Sequence, residues 1–158
     1  MLDDFELVSK NFPVLFTFGE MGYLKANILF SNGKEFCPYI INHQCSIYNQ
    51  RPSICKNYPL SPNLDDKVYI DDSCPAVNTE FGSTIVNKGE VSNIKEHPTL
   101  TNYQNKFIET HLYLEQFNNK NSFEKLIEIN NIIFYKYIGR SKDKYIETHL
   151  SSLKNFKY

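Results

Sequence analysis

The stretch FCPYIINHQCSIYNQRPSICKNYP, residues 36–59, carries three of the chain's four cysteines and three of its seven prolines. The fourth cysteine, Cys74, stands directly before Pro75. Proline fixes φ and lacks a backbone donor, so a segment this dense in it forms neither a long helix nor an inner strand. Residues 34–78 therefore read as short turns, with one strand at Val68–Ile70, wrapped around something that organises them. The spacing is C-x7-C-x9-C-x18-C, from Cys37 through Cys45 and Cys55 to Cys74. Thiolates bind zinc and iron tightly, and four of them satisfy a tetrahedral zinc ion or one iron–sulfur cluster. The spacing lacks the paired CxxC knuckles of zinc ribbons and ferredoxins. Spacing alone leaves two other readings open: unrelated buried thiols, and two disulfides in an exported protein.

Toward the N-terminus, Asp3 or Asp4 is placed to cap a short helix that Pro13 closes. Two runs rich in β-branched and aromatic residues follow, Val14–Phe18 and Tyr23–Phe30, with Gly19-Glu20-Met21-Gly22 between them. They predict a β-hairpin, and Ser31-Asn32-Gly33 ends its second strand as a turn. Toward the C-terminus, residues 79–97 read as a loose Gly-, Ser- and Asn-rich connector. Beyond it three helices are predicted from apolar three-to-four spacing. The first is capped by Thr99 or Thr101 and carries Leu100, Tyr103, Phe107, His111 and Leu114. The second is capped by Ser122, carries Phe123, Leu126, Ile127, Asn130, Ile133, Phe134 and Tyr137, and is stopped by Gly139. The third is capped by Ser141 and carries Tyr145, Ile146, Leu150 and Leu153. The expected fold class is α+β: an N-terminal helix and β-hairpin, a proline-rich irregular cysteine cluster, and a helical C-terminal half. Residues 1–78 form the cysteine-cluster region and residues 79–158 a helical subdomain packed on it, within one domain.

With 158 residues, a 41% hydrophobic fraction and 22% charged residues, the chain has the composition of an ordinary globular domain. Its 12 Phe and 11 Tyr, with no Trp, make a Phe- and Tyr-built core. A net charge of −1 without a basic run argues against non-specific nucleic-acid binding, which needs clustered cations. The opening MLDDFELVSKNF has acids where a signal peptide carries positive charge, and no stretch has the roughly 20 apolar residues of a membrane span. The expectation is a cytoplasmic protein with no membrane and no nucleic-acid partner. In a reducing compartment, four cysteines favour metal ligation over disulfides.

The residues around the cysteines strengthen that reading. Four thiolates on zinc leave a charge of about −2, which cations and N–H donors stabilise. Arg51 and Lys56 lie close to Cys45 and Cys55, and Tyr48 and Tyr58 are placed to shield a site there from water. In this local sequence the chain resembles the YkgJ-type cysteine-cluster family, described as a zinc- or iron-chelating domain. The matching residues are Cys37, Cys45-Ser46-Ile47-Tyr48, Arg51-Pro52, Cys55 and Tyr58-Pro59, roughly a quarter of the chain, with Cys74 matching a later cysteine. The family's usual opening C-x2-C-x2-C-C has no counterpart, because no cysteine precedes Cys37. The resemblance implies a metal-binding protein holding zinc or an iron–sulfur cluster through Cys37, Cys45, Cys55 and Cys74.

Other candidates weigh less. His43 beside Cys45 reads as an exposed turn residue before a ligand, and His97 has no nearby cysteine. The tetrapeptide ETHL occurs twice, ending in His111-Leu112 and His149-Leu150, and reads as helix packing rather than catalysis. Asp65, Asp66, Asp71 and Asp72 flank Val68–Ile70 and read as exposed turns rather than a hard-cation site. No phosphate loop, G-x-S-x-G elbow or HExxH is present. Two alternative functions accompany the metal-binding reading. One is an enzyme like the iron–sulfur oxidoreductases or flagellin lysine N-methylases, although no CxxxCxxC and no methyl-donor motif stands in the chain. The other is a zinc-stabilised module whose helical half binds a protein partner.

Overall fold

A computed structural model of the chain describes residues 1–19, 21–30, 37–63, 67–71, 74, 86–87, 90–91 and 98–157. A 3-10 turn at Leu2–Asp4 leads into α1 (Phe5–Asn11), followed by β1 (Val14–Phe18) and β2 (Leu24–Ile28). Next come β3 (Ile40–Ile41), β4 (Gln44–Cys45), α2 (Ser53–Asn57), β5 (Leu60–Pro62) and β6 (Val68–Ile70). The pair β7 (Val86–Asn87) and β8 (Glu90–Val91) precedes α3 (Pro98–Leu114). The chain closes with β9 (Phe123–Ile129), β10 (Ile132–Tyr137) and α4 (Lys144–Ser152). This is an α+β fold with an N-terminal helix, a hairpin and a helix-bearing C-terminal part, as the sequence predicts. Between residues 37 and 70 no element exceeds five residues among those described, as the proline density requires.

The chain divides into two compact units. One is Ser53–Leu112 together with Met1; the other joins Leu2–Pro52 to Tyr113–Tyr158. In the first unit the strand order is β5-β6-β8-β7. Val68 and Leu100 are buried together there, with Leu60 against them. Gln104, 1% exposed, accepts a hydrogen bond from the Asn63 N–H at 3.3 Å and donates to the Asn63 carbonyl. One α3 side chain thereby bonds both backbone groups of the residue after β5, whose N–H also donates to the Lys67 carbonyl at 3.0 Å.

The second unit is built on the antiparallel sheet β2-β1-β10-β9. Gly22, at φ +79°, supplies the backbone freedom that the turn between β1 and β2 needs. On one side of this unit Phe16, Leu24, Leu114, Phe123, Tyr137 and Ile146 are buried together. The rings meet edge to face, Phe16 with Phe123 at 5.4 Å and Phe123 with Tyr137 at 5.3 Å. A second cluster, Phe5, Val8, Phe12 and Val14, receives Tyr39, Ile47 and Cys37.

Three sequence expectations are corrected. The segment 122–137, predicted as a helix, is the hairpin β9–β10. Asn130 and Asn131 both take positive φ, 50° and 64°, the geometry of a two-residue hairpin turn. A register shift at Phe134/Tyr135 leaves Leu126 without an opposite residue. That bulge breaks the alternation of β9 and gives its apolar residues a spacing that mimics a helix. Thr99 and Thr101 lie inside α3 rather than capping it. The cap of α4 is Asp143, not Ser141: its carboxylate accepts from the Tyr145 and Ile146 N–H groups, while the Ser141 hydroxyl accepts from the Asp143 N–H. The early helix does have Asp4 at its N-cap position, without a capping side-chain bond. Of residues 79–97, only β7 and β8 fall among the described residues.

Candidate metal centre

Each cysteine sits on a short element or beside one. Cys37 enters the β3–β4 hairpin, and its carbonyl accepts from the Ile40 N–H at 3.1 Å. Its side chain packs against the Phe5, Val8, Phe12 and Val14 cluster. Cys45 is the last residue of β4 and pairs with Ile40. Asn42 and His43 close that hairpin at φ 49° and 63°, a turn of the same kind as Asn130-Asn131. His43 is exposed in this turn. Past β4, the Tyr39 carbonyl accepts from both the Ser46 N–H, at 2.8 Å, and its hydroxyl, at 3.0 Å. The Tyr39 hydroxyl donates to the Asn11 carbonyl at 2.9 Å, which ties the cysteine-bearing segment to the end of α1.

Cys55 is the central residue of α2, whose end is held by Asn57 donating to the Ser53 carbonyl at 2.8 Å. Cys74 follows β6, its N–H donating to the Asp71 carbonyl at 3.3 Å. All four thiols are half-buried and none is in a disulfide.

The Arg51 guanidinium lies 3.7 Å above the centre of the Tyr48 ring, a stacked cation–π pair. Tyr48 is 60% exposed and Tyr58 54% exposed, so each ring presents an open face. Behind the stacked face, the Arg51 Nε–H is buried and hydrogen-bonds to none of the described residues. Asn11 Nδ2, on α1, is in the same condition. Buried donors normally find acceptors, and neither of these two N–H groups has one among the described residues. Among the described residues, however, no group of three or more His, Cys, Asp and Glu side chains is assembled to hold a metal ion.

The two helix histidines of the sequence reading make hydrogen bonds. His111 Nδ1 meets the Phe107 carbonyl at 2.8 Å, and its ring lies 4.2 Å from that of Phe107. His149 is fully buried and bonded through both ring nitrogens, to the Val14 carbonyl and the Tyr137 N–H. The two ETHL histidines therefore pack their helices. Asp71 is exposed, while Asp65, Asp66, Asp72 and His97 lie outside the described residues. Sequence reading missed Asn11 and the orphaned Nε of Arg51. Nothing in a residue's type signals an unsatisfied atom. No helix is long and apolar enough to cross a membrane among the described residues. Comparison with family models, with curated proteins and with solved structures finds no match.

Proposed function

We propose that this chain is a metal-binding protein whose ligands are Cys37, Cys45, Cys55 and Cys74, holding zinc or an iron–sulfur cluster. The observation that carries the reading is the confinement of all four cysteines to residues 37–74. That all four are half-buried and none is in a disulfide agrees with it. The resemblance of residues 36–59 to the YkgJ-type cysteine-cluster signature supports the same ligand set. Thiolates on a metal require N–H groups that offset negative charge, and Arg51 and Asn11, in the same unit as Cys37 and Cys45, carry buried N–H groups with no acceptor among the described residues. Tyr48 holds the Arg51 guanidinium flat at 3.7 Å, and Tyr58 is the second aromatic candidate for limiting water around the sulfurs.

Metal binding through thiolates from several chain segments is coupled to folding. Such coupling makes metal affinity part of the folding free energy. A site closed by four sulfurs leaves no position for water or substrate and is structural when the metal is zinc; an iron–sulfur cluster makes it an electron carrier. The test is titration of the reduced, metal-free protein with Zn2+, followed by circular dichroism. A saturable spectral change that Cys45→Ser abolishes is the expected result. Identical spectra with and without metal, in both proteins, would refute the ligand set.

A further inference from the structure

His149 stands where a strand ladder ought to continue. Phe16 of β1 pairs with Tyr135 of β10, so two residues further along each strand Val14 comes opposite Tyr137. The Leu29 N–H donates to the Pro13 carbonyl at 3.2 Å, on the β2 side of β1. Backbone groups alternate sides along a strand, so the N–H and C=O of Val14 point the other way, toward β10. In an unbroken ladder Val14 and Tyr137 bond each other there. Instead α4 takes their place. The Val14 N–H donates to Ser152 Oγ at 3.0 Å, and the Val14 carbonyl meets His149 Nδ1 at 2.6 Å. The Tyr137 N–H donates to His149 Nε2 at 3.0 Å. These partners fix the tautomer: Nδ1 carries the hydrogen and Nε2 is the acceptor. The imidazole thus relays one ladder bond between β1 and β10, and Ser152, whose hydroxyl donates to the His149 carbonyl at 2.6 Å, anchors the same helix to the same residue.

This arrangement tolerates only the neutral ring. An imidazolium has two N–H groups and no acceptor, so a second proton would face the Tyr137 N–H head on. It would also place a charge in a site that is 0% exposed and has the Phe16 ring 4.6 Å away. No charged side chain among the described residues bonds to the ring, whose partners are the Val14 carbonyl and the Tyr137 N–H, and Asp4, directly before α1, is buried. Glu6 and Lys10 of α1, and Lys144 and Glu147 of α4, are exposed. Lys136 of β10 pairs with Glu124 at 3.1 Å, and β1 carries no ionisable side chain. The other ionisable side chains of β10 are the phenols of Tyr135 and Tyr137. Burial pushes the ring down to about 4, against the opposing pull of the Val14 carbonyl.

We propose that His149 is a proton-gated splice in the β1–β10 seam, whose protonation opens the seam at Val14 and Tyr137 and releases α4 from the sheet. Proton uptake at Nε2 removes the acceptor of the Tyr137 N–H, and no covalent bond changes. Release of α4 frees Ile146 from the cluster it shares with Phe16, so the acid form presents apolar surface that the neutral form buries.

The test follows the backbone amide resonances of Val14, Tyr137 and α4, and the imidazole resonances of all four histidines, from pH 7.5 to 3.5. The population with α4 released is expected to rise about tenfold per pH unit below roughly 6.5, until the buried ring itself titrates. His149→Gln, whose amide offers a donor and an acceptor that do not titrate, should hold the seam closed over the same range. Equal pH dependence in the two proteins overturns the proposal. If the Gln protein does not fold, the wild-type titration decides alone. A His149 ring that titrates while the Val14 and Tyr137 amides stay unchanged overturns it equally.

Discussion

His149 and Gln104 act alike: each is a buried polar side chain that completes backbone bonding its own helix does not need. For His149 the consequence is a stability that depends on pH. Its ring is held near 4 in the folded chain against an ordinary 6.5, so the unfolded chain binds the proton more readily between those values. The contribution is complete above about pH 6.5, lost progressively as pH falls toward 4, and flat below, amounting to about 3 kcal/mol. Urea unfolding at pH 7, 5.5 and 4 checks this, with the midpoint expected to fall across the series. For Gln104, replacement by Ala removes its two bonds to Asn63, whose N–H keeps the Lys67 carbonyl as an acceptor, and should cost about 1 kcal/mol with the urea dependence unchanged. Neither role was legible in the sequence. His149 meets a carbonyl 135 residues away, and periodicity within α4 says only that one face is covered.

At the scale of elements, two Asn-bearing turns and one cap decide what the local sequence becomes. Asn42-His43 and Asn130-Asn131 put consecutive non-glycine residues at positive φ, where most side chains clash with the backbone. Asn131→Val should therefore cost about 1–2 kcal/mol and lower the melting temperature, while Asn131→Gly should raise or preserve it. Asp143 does two jobs. It caps α4, accepting from the Tyr145 N–H at 2.9 Å, and it accepts from the Tyr113 hydroxyl. That bond, chiefly, raises the Tyr113 phenol to about 12. Asp143→Ala should return Tyr113 toward its ordinary value near 10, read by ultraviolet titration, and cost about 1 kcal/mol from the lost cap. The β1–β2 hairpin was legible because glycine punctuates two runs of β-forming residues. β9–β10 was not, because the bulge at Leu126 disguises a strand as a helix, and a pair of asparagines is a weaker turn signal than Asn-Gly.

For the whole molecule, the α+β class and the brevity of every element near the cysteines followed from proline and glycine placement. The division into two units did not, because one of them is assembled from both ends of the chain and pattern along the sequence carries no such information. In the proposed function the cysteine pattern offers four ligands at once, but the metal stays open for a chemical reason: thiolates serve zinc and iron–sulfur centres equally well. Metal-dependent folding carries a further expectation. Removal of the metal by a chelator should lower the melting temperature, and Cys37→Ser or Cys55→Ser should abolish the metal-dependent part of it. The measurement that tests metal binding most directly is elemental analysis with a visible absorption spectrum on protein purified without oxygen. The account predicts about one zinc per chain in a colourless protein, or iron with acid-labile sulfide and broad absorption near ~400 nm. A folded protein that carries neither zinc nor iron would contradict it.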